Sequence, residues 1–332
     1  MEIKRPALVS LVIAIGTILP GIYSQNKAPL RLVQTIPMPN VEGRIDHMTL
    51  DVKHQRLYVA ALGNNTLEVF DLRTAKVAQS VTGLKEPQGA AYVPDVDKLF
   101  VASGGDGKCY VFAGDPLQQL SVLEVGEDAD NIRYDAAGKR VYVGYGNGAL
   151  CAIDIYTLKR LGDIKLAGHP ESFQLEKTGS KIYINVPDAR QVAVVDRLRQ
   201  NVLSVWSLEN LRANFPMALI EADHRILVAT RRPPKLVVLD SVSGKMVAQM
   251  DCAGDADDLF YDAVKKLVYV SCGEGVIDVF AEYDPDQYQE VVRIPTAPGA
   301  RTALWAPELN RLFLAVPSRG GQQAAVRIYQ GD

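Results

Sequence analysis

Short apolar runs broken by Gly, Asn, Asp and Pro succeed one another along almost the whole chain, and seven of them are versions of one unit. RLYVAALGNNTLEVFDL, KLFVASGGDGKCYVFAG, RVYVGYGNGALCAIDI, KIYINVPDARQVAVVD, RILVATRRPPKLVVLD, LVYVSCGEGVIDVFAE and RLFLAVPSRGGQQAAVRIY follow in order. Their leading apolar residues, Leu57, Leu99, Val141, Ile182, Ile226, Val268 and Leu312, are separated by 42, 42, 41, 44, 42 and 44 residues. Each unit holds two apolar or alternating strands around a turn. A third such as KVAQSVTGL follows, and another such as HMTLD or NIRYD precedes, as expected of strands bounded by turn residues. Four-stranded units at this period predict an all-β, seven-bladed propeller spanning residues 25–332.

A twisted four-stranded sheet with two apolar faces buries both when it is stacked between neighbours, and radial closure leaves no end blade exposed. The last unit supplies only three strands before Asp332, whereas LRLVQTIPMP, residues 30–39, is an orphan strand ahead of the first blade. It is expected to complete the seventh blade and so tie the termini together.

The strands LYVA, LFVA, VYVG and VYVS, each followed by a turn and a strand ending in Asp, resemble the YVTN-repeat, YncE-like propellers of bacteria over essentially the whole mature chain. The resemblance implies a seven-bladed, exported protein. It implies little about chemistry, because propellers host lyases, lactonases, quinoproteins and binding modules alike.

Composition changes this picture at the N-terminus. MEIKRP and the apolar run ALVSLVIAIGTILPGIYS have the n- and h-regions of a secretory signal, here residues 1–24 with cleavage near Ser24 and a periplasmic or secreted destination. A retained anchor is the competing reading. The run has no lipobox Cys after it and no second span follows, so no membrane contact beyond the signal is expected. The full chain carries a formal charge of −3; losing Glu2, Lys4 and Arg5 removes a net +1 and leaves about −4. That balance has no basic footprint for nucleic acid. The four cysteines, 109, 151, 252 and 272, form no CxxC or CxxCH, so neither a zinc ribbon nor covalent haem is expected. Cys109 and Cys151 occupy equivalent positions of neighbouring blades and read as buried thiols, whereas Cys252 and Cys272 are placed close enough for a disulfide.

A repeat protein separates architecture from site by itself, because architectural features recur in every blade. The turns DVKHQR, PDVDK, DAAGKR, EKTGSK, EADHR, DAVKK and PELNR nearly all pair an acid with a base, which is turn chemistry and accounts for Asp135. The segments leading into the innermost strands, GRIDHM, KEPQGA, EDADNI, GHPESF, ANFPMA, GDADDL and PGARTA, are mostly polar and are not copies. In a propeller they converge at one mouth of the central channel. The candidate ligand-binding residues are therefore Arg44, Asp46, His47, Gln88, Asp128, Asp130, Asn131, His169, Glu171, Asn214, Asp255, Asp257, Asp258 and Arg301, with Arg231 and Arg319 on the rim. The plainer alternative is a wet, polar mouth decorated with turn-forming acids.

These residue types allow several chemistries. His47, Asp130, His169, Glu171 and Asp257 offer imidazole and carboxylate ligands for a divalent metal, though without local ligand spacing. Asp130, Asn131, Asn214 and Glu171 imitate parts of the calcium set of propeller lactonases, in a blade order that does not match. His169 near Glu171, and Asp46 beside His47, could serve acid–base catalysis. No GxSxG nucleophile is present. Two functions follow: a monomeric module binding a small molecule or an exported protein partner, and a metal-assisted hydrolase or lyase using the same residues.

Overall fold

A computed structural model describes Met1 and residues 28–332. Residues 2–24, the rest of the expected signal segment, lie outside the described residues. Those described form seven four-stranded antiparallel sheets, six of them built from four strands consecutive in sequence. From blade 1 to blade 7 the innermost strands are Met48–Asp51, Pro87–Val93, Ile132–Asp135, Phe173–Leu175, Arg212–Ile220, Ala256–Asp262 and Ala303–Ala306. Each touches the next, and that of blade 7 touches that of blade 1, so the ring is closed.

The seam is the expected one. Leu30–Pro37 pairs antiparallel with Ala325–Gly331 and becomes the outermost strand of blade 7. Its Leu30 and Ile36 are buried on opposite sides, Leu30 with blade 6 and Ile36 with blade 1.

Seven apolar clusters fill the molecule, one between each pair of neighbouring blades. Period-two alternation explains how one strand serves two of them. In Arg56–Ala61, Leu57, Val59 and Ala61 face blade 7, while Tyr58 faces blade 2. The second and third strands of each blade are thus buried on both sides and read as nearly unbroken apolar runs. Outermost strands such as Lys76–Val81 meet solvent on alternate residues, and polar edges of that kind discourage strand addition.

The turn acids also do what their recurrence suggests. Asp51 accepts the His54 N–H at 3.0 Å and Asp135 accepts that of Gly138 at 3.0 Å. Asp135 further meets the Arg197 guanidinium at 3.4 Å, so its charge belongs to the architecture.

The cysteines depart from expectation in one respect. All four are buried free thiols. Cys109 and Cys151 sit in the cluster between blades 2 and 3 as foreseen. Cys252 and Cys272, read as close enough for a disulfide, share the cluster between blades 5 and 6 without bonding. The Cys272 thiol is directed to the Val270 carbonyl at 3.6 Å. Burial raises both thiols, Cys252 to about 12, so they pack as small apolar groups.

Candidate functional site

The lead-in segments continue the ladder of each blade before their strands begin. In blades 1, 3 and 4 the N–H groups of Asp46, Asp130 and Glu171 donate to the carbonyls of Ala60, Gly144 and Asn185. The residues that follow, His47, Asn131 and Ser172, accept from the N–H groups of the same three residues. These three blades therefore share one backbone frame and differ there in their side chains. Bulges re-aim the others. Register shifts fall between Pro87 and Ala90 in blade 2, Asn214 and Met217 in blade 5, and Ala256 and Asp258 in blade 6.

The result is a cavity of about 290 Å³ at one end of the axis. Of the expected residues, Arg44, Asp46, His47, Gln88, Asp128, Asp130, Asn131, His169, Glu171, Arg231, Asp257 and Arg301 line it. Arg231, expected on the rim, stands in the wall with its guanidinium 4.0 Å from the centre of the Phe215 ring. Ser172 and Phe215 complete the lining.

Four expected residues lie elsewhere. Asn214 is wholly buried, and its amide donates to Asn185 Oδ1 at 3.0 Å and to the Gln191 carbonyl at 3.1 Å. The blade 5 bulge gives the mouth position to Phe215 instead, and Asn214 stitches blade 5 to blade 4. Asp258 is buried below the mouth, accepting the Ala303 N–H at 2.8 Å and lying 3.8 Å from His47 Nδ1. Asp255 lines an adjoining hollow of about 260 Å³ that shares Arg44 and Arg301 with the mouth, and Arg319 lies in the same hollow.

Two charge systems divide the site. On one side Asp255 and Asp257 alternate with Arg231 and Arg301: Arg301 Nη1 reaches Asp255 at 2.8 and 3.0 Å, Arg301 Nε reaches Asp257 at 3.0 Å, and Arg231 contacts both acids. This set is balanced internally. On the other side Asp130, only 6% exposed, lies between two imidazoles, 4.0 Å from His47 Nε2 and 3.7 Å from His169 Nε2. His47 Nε2 is also 3.8 Å from Asp46, which accepts from Arg44 at 2.6 Å. Gln88 donates to Asp128 at 3.0 Å.

Withdrawal from water acts strongly on the second group. Burial, reinforced by Asp130 and Asp257, raises the Glu171 carboxyl to about 8. It raises Asp258 to about 7 and Asp46 to about 6. Burial opposes the imidazolium of His169, yet Asp130, the Gly146 carbonyl and Glu171 outweigh it and lift the ring to about 9. His47 is likewise raised, burial being overcome by Asp46, Asp258 and Asp130. Asp130 moves the other way: burial is outweighed by its two histidines and Arg44, so it stays ionised.

Asp130, His169 and Glu171 each offer one ligand atom, all within 4.8 Å of one another. His47 and Asp257, also expected as metal ligands, stand outside that set. One residue and one cluster escaped sequence reasoning. Arg133, one turn of the pleat into the blade 3 strand, packs on the Phe173 ring at 5.6 Å and contributes positive charge near Asp258 and Asp130; its place in IRYD resembled an ordinary strand position. Asp51, His54 and Asp97 form a second acid–imidazole cluster at the far end of the inner strands. There His54 Nδ1 already holds Asp51 at 2.6 Å, and Asp97 accepts from the Tyr92 hydroxyl.

No family model and no curated protein matches the sequence. Solved structures do match. A chain in the crystal structure of the mitotic checkpoint complex is similar over 97% of this chain and 99% of its own, with a TM-score of 0.78 at 12% identity. A chain of Kuenenia stuttgartiensis hydrazine synthase is similar over 92% and 99%, with a TM-score of 0.73 at 16% identity. Likeness at such identity is one of fold and carries no activity with it; with seven closed blades of four strands, this chain is a seven-bladed β-propeller.

Proposed function

We propose that this propeller is an exported, YVTN-repeat, YncE-like protein that acts as a monomeric binding module, taking a small anionic molecule into the axial mouth. The observation that carries the reading is the Asn131 amide: it is 1% exposed and lines the cavity, and neither its oxygen nor its nitrogen has a hydrogen-bond partner. Buried amides are normally satisfied, so the pair of unmet groups marks a place for an incoming polar molecule. Arg44 and Arg301, shared with the hollow that holds Arg319, supply guanidinium groups suited to a carboxylate or phosphate. A small polar ligand fits better than a protein loop, because the one aromatic side chain of the lining, Phe215, is covered by Arg231. The export reading is supported by the signal-like N-terminal run, and the family reading by the repeated strand pattern.

Native mass spectrometry of protein recovered from its exported compartment tests this. A retained mass beyond a single mature chain, lost in Asn131→Leu, is expected. A bare chain whose melting is unmoved by a panel of small carboxylates and phosphates contradicts it.

A specific observation also favours an enzyme. Glu171 near 8 and His169 near 9 sit side by side as a proton-holding pair close to neutral pH, as acid–base catalysis in a hydrolase or lyase requires. On that reading Glu171→Gln abolishes turnover of a bound ligand while leaving its binding intact; unchanged turnover contradicts it.

A further inference from the structure

We propose that Asp130, His169 and Glu171 hold a divalent transition-metal ion at the channel mouth, with coordination positions left open for the small molecule bound there. This metal site deepens the reading of the mouth as a ligand site and rests on it.

The three ligand atoms lie within 4.8 Å of one another, and ligands about 2.1 Å from a tetrahedral ion stand about 3.4 Å apart, so small side-chain rotations close the set. His169 and Glu171 stand two residues apart in the lead-in segment of blade 4 and Asp130 comes from the neighbouring blade, so the closed ring fixes their spacing.

The imidazole is already oriented. His169 Nδ1 lies 2.8 Å from the Gly146 carbonyl, so Nδ1–H donates there and Nε2 is left for the metal. Metal-bound histidines are held in this way, the second nitrogen donating to a backbone carbonyl or carboxylate.

A second, independent observation is the unmet polarity beside these ligands. Asp130 Oδ1 is buried with no hydrogen-bond partner, and the adjacent Asn131 lacks partners for both amide atoms. A cation satisfies the first, and a molecule carried by the cation satisfies the second.

Charge points the same way. Five carboxylates line the mouth against three guanidinium groups, two of which, Arg231 and Arg301, are matched to Asp255 and Asp257. Metal binding displaces the protons held on Glu171 and His169, and in that deprotonated state a divalent ion offsets the carboxylates and bridges an anionic ligand to Asp130 and Glu171. One imidazole with two carboxylates suits zinc, manganese or iron(II). Calcium prefers six to eight oxygen ligands, and a three-residue set of this kind leaves positions open.

Zinc titrated calorimetrically into chelator-treated mature protein, with cobalt(II) absorption as a second readout, tests the site. One zinc per chain is expected, with visible cobalt bands. His169→Ala should abolish the bands and weaken zinc about tenfold or more, and His54→Ala in the distant cluster should change neither. Asp130→Asn, which keeps the side-chain shape, serves if His169→Ala does not fold. Absence of stoichiometric zinc and cobalt binding, or equal affinity in folded His169→Ala and Asp130→Asn, overturns the metal site. If metal binding fails while protein from its own compartment retains an organic mass, the metal site falls and the ligand reading stands; if both fail, both are overturned.

Discussion

Glu171 shows most sharply what enclosure does to one residue. In metal-free protein its carboxyl holds a proton up to about 8, with Asp258 and Asp46 following at about 7 and 6. With these three groups the folded chain binds more protons than the unfolded chain across that window, so their contribution to stability is full below the ordinary carboxylate range and is lost as pH rises. His169 adds in the same direction, because its imidazolium, facing Asp128, Asp130 and Glu171, contributes fully below its ordinary value and is lost as pH passes about 9. Asp130, held low, acts oppositely and only at the acid end. The melting temperature of metal-free protein should fall by roughly several degrees between pH 5 and 9. Glu171→Gln should flatten that slope and raise the melting temperature at pH 9; a slope of opposite sign in the wild type contradicts the assignment. Gly89 is the second informative position. A Cβ there would sit 2.1 Å from the Asp130 carbonyl oxygen, so Gly89→Ala must push the blade 3 lead-in aside. A cost of about 1–3 kcal/mol is expected with weakened zinc binding, read by urea denaturation and calorimetry.

Among the elements, the N-terminal strand has the clearest mechanical role. Ile36 is 1% exposed in the cluster between blades 7 and 1, and Ile36→Ala should cost about 2–5 kcal/mol in urea unfolding. A cost below 1 kcal/mol would mean that the seam adds little to closure. This strand and the blades were legible in the sequence because their signal is a period repeated seven times. The mouth was legible for a related reason: on a common backbone frame, polar residues such as Asp46, Asp130 and Glu171 differ where architecture alone would repeat. What the sequence concealed lies in the bulges. A one-residue shift exchanges the faces of a strand, so Asn214 is turned inward and Phe215 takes its place, and Asp257 faces the mouth while Asp258 drops beneath it. Arg133 was hidden because a charged residue within a short alternating strand gives no sign that its neighbours across the axis are acids.

At the scale of the whole molecule, the blades form a scaffold whose chemistry gathers on the axis. Its cores are apolar, its four thiols are buried and free, and among the described residues no helix is long and apolar enough to cross a membrane. Thiol titration should accordingly find four reactive groups in denaturant and almost none in the native protein. Loss of two of the four on oxidative folding would restore the Cys252–Cys272 bond. The site depends above all on charged groups from separate blades meeting out of bulk water. The side-chain NMR titration of His169 in metal-free protein reads that meeting directly. Its midpoint should lie near 9 and drop toward the ordinary histidine value in Asp130→Asn. A wild-type midpoint at or below the ordinary value, unmoved by that substitution, would show that the two side chains do not share an enclosed site.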